Sequence, residues 1–167
     1  MALRETALWR GLRRVIDVWA LLGGAVLVLL VIVNLWSVLA GMIGTAFAGD
    51  VELTEMGVAA AAFAFLPFCQ LHRQNVRAEV FTRRLGPGTR RGLDALASAL
   101  ALGFAALLLW RMYFGLLDQR SFAYSSTILQ IPTWWVYMPV LVSLALLVAA
   151  AAMTLAEDLA GETGWTR

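Results

Sequence analysis

The sequence contains no lysine, and all thirteen of its basic residues are arginine. A Walker A phosphate loop and a lysine Schiff base both need the missing amine and are excluded. One histidine, His72, and one cysteine, Cys69, are too few for a His-plus-Cys zinc site, a bis-histidine haem within the chain, a disulfide or a Cys-x-x-Cys relay, so no cofactor is expected. Charge is also scarce. Only 14% of the 167 residues are charged while 61% are hydrophobic, and the mean hydropathy is +0.77, which points to a membrane protein rather than a water-soluble domain. The net charge of +2 does not imply nucleic acid as a partner, because the arginines border hydrophobic runs and are explained by topology.

What is present is long apolar runs. A helical crossing takes about 20 such residues, so the chain has room for about four crossings and no separate extramembrane domain. The runs predict an all-α membrane protein, one domain over 1–167, with spans over 18–43, 53–71, 95–117 and 134–156. Val18 to Ile43 carries no charged side chain. The small-residue stretch Ala46-Phe47-Ala48 after it imitates a signal cleavage site, but the apolar run is too long for a signal peptide and reads as a retained anchor. Arg13-Arg14 reads as a charge cluster rather than a twin-arginine export signal. The second span contains Glu55 near its start and Pro67 near its end; proline cannot donate to the carbonyl of Phe63, so a kink is expected there, shielded by neighbouring helices.

Arg4, Arg10, Arg13 and Arg14 precede the first span, and Arg73, Arg77, Arg83, Arg84, Arg90 and Arg91 fall in the 72–92 connection. The alternate connections hold only Arg120. The positive-inside bias therefore predicts an N-in/C-in topology, with both termini and the 72–92 connection in the cytoplasm. Trp110, Tyr113, Trp134, Trp135 and Tyr137 would mark the outer boundary, and Trp9, Trp19 and Trp165 the inner one. Leu8, Leu12, Val15 and Ile16 recur at helical spacing against arginines, which predicts an N-terminal amphipathic interfacial helix over 3–16. A shorter surface helix is expected in the 72–92 connection before Gly86-Pro87-Gly88.

Asp50, Glu52 and Glu55 cluster at the outer entry of the second span, and Arg111 lies near the outer end of the third. Opposite charges at one depth predict a structural clasp or partner contact, Arg111 meeting Glu52 or Glu55. Asn34 inside the first span is expected to make an interhelical hydrogen bond. His72 and Cys69 read as an interfacial histidine and a small apolar thiol. Ala95, Ala99 and Gly103 recur every fourth residue and would allow a close helix contact. Arg10, Arg13, Arg14, Arg83, Arg84, Arg90 and Arg91 are candidate contacts for anionic lipid. The alternative is a small integral-membrane enzyme, such as an aspartyl signal-peptidase-like protease using Asp50 and Asp118. That chemistry needs both carboxylates in one site, and the Asn-rich surroundings of that peptidase family are missing.

Three stretches carry a resemblance. Gly49-Asp50-Val51-Glu52-Leu53, the run Phe65-Leu66-Pro67-Phe68-Cys69-Gln70-Leu71-His72-Arg73-Gln74-Asn75-Val76-Arg77, and Leu129-Gln130-Ile131-Pro132-Thr133-Trp134-Trp135-Val136-Tyr137-Met138-Pro139 resemble, in order and spacing, the small membrane subunit of the tripartite ATP-independent periplasmic (TRAP) transporters. The resemblance implies a non-enzymatic accessory subunit, multi-pass in a bacterial or archaeal inner membrane. Its partners would be a large sodium-coupled permease subunit, which it braces, a periplasmic substrate-binding protein that delivers an organic acid, and membrane lipids. Trp134 and Trp135, with Asp50 and Glu52, would face the substrate-delivering partner.

Overall fold

The computed structural model describes residues 7–45, 47–72 and 87–160. The described residues form four helices: α1 (Ala7–Met42), α2 (Asp50–Leu71), α3 (Pro87–Ser121) and α4 (Trp134–Ala160). Each is long and apolar enough to cross a membrane.

α1 runs unbroken for 36 residues because no proline interrupts it, and it ends where glycine allows the chain to turn back. Gly44 has φ +78, its N–H donates to Gly41, and the N–H of Thr45 donates to Ala40 at 3.0 Å, closing the exposed carbonyls in a Schellman arrangement. The expected separate interfacial helix is thus absorbed: residues 7–16 are the first turns of α1, and residues 3–6 lie outside the described residues. Its apolar face meets protein. Ile16 is fully buried with Leu71, Ala150 and Met153, and Trp9 and Leu12 pack beside them, whereas Val15 stays exposed. α2 forms in full over the second span; Pro67 lies inside it and is buried, shielded by its neighbours. α3 opens at Pro87, eight residues before the expected start, since proline fits the first helical position, where no intrahelical N–H bond is required.

α1 and α2 pack antiparallel along a seam that repeats every seven residues. Ile16, Gly23, Leu30, Asn34 and Ser37 of α1 face Leu71, Ala64, Gly57, Thr54 and Asp50 of α2. Gly23 lets the backbones approach, since a Cβ there would stand 2.8 Å from that of Ala64. α4 packs against both α2 and α3, giving the order α1, α2, α4, α3, with the first turns of α1 also reaching α4. α4 is the central helix, 39% of its spanning window being buried against 6% for α3. The close contact expected of Ala95, Ala99 and Gly103 is absent: a Cβ on Gly103 would meet nothing within 4 Å, because α3 turns Ser98 and Ala105 to α4 instead.

Candidate functional site

Polar side chains in the helices are turned toward one another in two groups. At the hairpin end, where α1 passes to α2 and α3 to α4, Asn34 Nδ2 donates to Thr54 Oγ1 at 2.7 Å and Ser37 Oγ to Asp50 Oδ2 at 2.6 Å. The expected interhelical bond of Asn34 is therefore present. At the arginine end, where α1 begins and α4 finishes, Gln70 Nε2 donates to Thr154 Oγ1 at 3.1 Å and Ser98 Oγ to Asp158 Oδ2 at 2.6 Å. Arg13 stands 3.8 Å from Glu157, and His72 Nε2 lies 3.1 Å from Asp17 Oδ1. Between the ends, Trp19 Nε1 donates to Ser143 Oγ at 2.9 Å, and Ser143 Oγ donates to the Pro139 carbonyl at 2.8 Å. α1, α2 and α3 are all tied to α4 or to each other by such bonds.

The α3–α4 connection is an ordered hairpin. Ser125 and Pro132 form an antiparallel bridge, with Ser126 N–H donating to Ile131 O at 2.9 Å and Thr133 N–H to Tyr124 O at 3.0 Å. Its tip is closed from α2. Glu52 Oε1 accepts the N–H groups of Thr127 and Ile128, each at 2.9 Å, and Oε2 accepts that of Leu129 at 3.0 Å. Consecutive N–H groups converging on one carboxylate make an anion nest, here filled by the protein itself. Gly49 completes the fit: its φ of +124 suits glycine, and a Cβ there would fall 2.7 Å from Leu129 Cγ.

The expected meeting of Arg111 with Glu52 or Glu55 does not occur. α4 separates α2 from α3, Glu52 is engaged by the hairpin, and Glu55 and Arg111 are both exposed without an ion pair among the described residues. Arg111 also lies ten residues before the end of α3, well below the level of Glu52. Asp50 and Asp118 do not form a joint site either: Asp50 is bonded to Ser37 of α1, whereas Asp118 is exposed on α3, which packs on α4. Trp134 lies under the Arg120 guanidinium, 5.9 Å from ring centre, and Trp135 is exposed. Of the lipid-contact candidates, Arg10 and Arg14 are exposed, and Arg13 is shared with Glu157. Arg83, Arg84 and the side chains of Arg90 and Arg91 lie outside the described residues, as does most of the 72–92 connection.

Sequence reasoning missed Glu157 and Asp158, 3% and 1% exposed. Their signal was spacing: Ser143, Ala150, Thr154 and Glu157 recur at helical intervals, so the polar members share the inward face of α4. Among the described residues no cluster of three or more His, Cys, Asp or Glu gathers to hold a metal ion.

Four apolar helices bonded through their polar groups define a multi-pass membrane protein. A family model, "Tripartite ATP-independent periplasmic transporters, DctQ component", matches residues 30–161, and the chain belongs to that family, a small membrane component of TRAP transporters. No curated protein matches the sequence. The matched region takes in the three motifs, and the structure joins the first to the third through Glu52 and Gly49, while the second supplies Pro67, Gln70 and Leu71 to the packing against α4 and α1.

Proposed function

We propose that this chain is the static accessory subunit of its transporter, bracing a large sodium-coupled permease subunit during uptake of an organic acid delivered by a periplasmic binding protein. The observation that carries the reading is the closure of polar groups within the bundle. Asn34, Ser37, Gln70, Ser98 and Ser143 are each bonded across helices. A substrate path requires polar groups aimed at a shared cavity near the middle of the membrane; here they lock helix to helix, which suits a rigid scaffold.

The arginine end faces the cytoplasm and the hairpin end the periplasm, in keeping with the distribution of arginines. Arg10 and Arg14, with Arg83, Arg84, Arg90 and Arg91, then contact anionic headgroups, each such contact adding about 1 kcal/mol near the surface. On the periplasmic face, exposed Ile128 on the hairpin that Glu52 fixes and exposed Trp135 in the first turn of α4 are suited to meet the binding protein.

Proteoliposomes holding the large subunit, this chain and the binding protein should accumulate a labelled carboxylate under a sodium gradient. Omitting this chain should cut uptake at least tenfold. Accumulation by this chain alone would refute the reading.

A further inference from the structure

Arg111 is a cation on the bare side of α3. The part of that helix long and apolar enough to cross a membrane is Ala95–Ser121, and Arg111 lies three residues from its midpoint. Cross-helix register agrees. Gly115 faces Tyr137 and Arg120 faces Trp134, while Ser98 reaches Asp158 at the far end, so Arg111 is level with the stretch of α4 between Val140 and Leu144, and Trp110 and Tyr113 on either side of it lie deeper than Trp134 rather than at the outer boundary expected of them. Asp118 is the next charged group along α3, seven residues on and about 10 Å along the axis. Among the described residues Arg111 forms no ion pair, and α3 packs closely on α4 alone.

Leu100, Phe104, Leu107, Arg111 and Phe114 recur at alternating intervals of four and three and so share one face of α3. The four apolar members are 43–67% exposed. Hydrocarbon satisfies leucine and phenylalanine but not a guanidinium, which retains its charge and its five donors. A charge at such depth marks a site where another group answers it.

We infer that this face of α3 is the docking surface for the large permease subunit, and that a carboxylate of that subunit receives Arg111. The inference rests on the accessory-subunit reading and adds to it the helix and the residue that make the joint. Charge complementarity selects the occupant. A lipid headgroup would require the side chain to stretch upward along Phe114 and Leu117, whereas a carboxylate on a neighbouring helix meets it at its own depth. The apolar residues around it would then exclude water and strengthen the pair.

The test uses the full chain coexpressed with its own large subunit, one of the two carrying an affinity tag. Wild-type chain should retain the large subunit, and Arg111→Leu should reduce retention at least tenfold while the isolated chain melts as before in detergent. A photo-crosslinker at Leu107 or Phe114, on the Arg111 background, should attach to the large subunit. Retention by Arg111→Leu equal to wild type, or adducts with lipid alone, would overturn the inference and leave the accessory reading standing. Failure of the wild-type chain to retain the large subunit would overturn both. Should Arg111→Leu also melt at lower temperature, the crosslink from Leu107 decides.

Discussion

At the scale of single residues, the most consequential side chain is Glu52, whose two oxygens hold three consecutive N–H groups of the hairpin tip. Glu52→Gln keeps the shape but replaces one acceptor oxygen with a donor, setting an N–H against an N–H. Hydrogen exchange at residues 126–130 should accelerate by tenfold or more, with the helices unaffected; unchanged exchange would show that the hairpin holds itself. Gly49→Ala should be worse for folding, because it combines a positive φ with a collision against Leu129. A loss of about 1–3 kcal/mol is expected, read as a lower melting temperature in detergent. The acidic residue and its location at the start of a helix were legible in the sequence, but its partner was not. Backbone N–H groups have no residue type, so opposite charge at one expected depth points instead to Arg111, which the fold places on another helix at another depth.

For the helices as elements, the α1–α2 seam gives a graded test. Gly23→Ala sets a methyl against the Cβ of Ala64, which cannot rotate away, whereas Gly57→Ala meets the Leu30 side chain, its Cδ1 at 2.6 Å and its Cγ at 3.2 Å, which can turn aside. The first should cost about 1–3 kcal/mol and the second less. Ala64→Gly added to Gly23→Ala should recover most of the loss, and a double-mutant cycle showing no coupling would contradict the close approach. Trp19→Phe removes one interhelical bond, for which about 0.6 kcal/mol is the usual scale, so its melting shift should be small beside that of Gly23→Ala. The four helices were readable because hydropathy and charge report directly on the bilayer. Their lengths and neighbours were less so. The pattern of Leu12 and Ile16 is the same whether the apolar face meets lipid or the end of α4, and only the packing reveals that Ile16 is enclosed by Leu71, Ala150 and Met153. The small-residue stripe on α3 likewise looked no different from the working one on α1 and α2.

For the molecule as a whole, the proposed orientation predicts that a single cysteine placed at Ser126, in a Cys69→Ser background, reacts with an impermeant thiol reagent applied to intact cells or spheroplasts. One placed at Arg14 should react only after the membrane is opened. The reverse pattern would invert the assignment of faces. The packing order also bears on synthesis. α3 adheres to the bundle through α4, the last of the four helices to leave the ribosome. Until α4 emerges, α1 and α2 can pair as a hairpin, but α3 must wait in the lipid without a companion. Chains halted before Trp134 should therefore show a protected first hairpin and a third segment open to quality-control proteases, so that every molecule passes through a vulnerable interval which ends only when its final helix arrives.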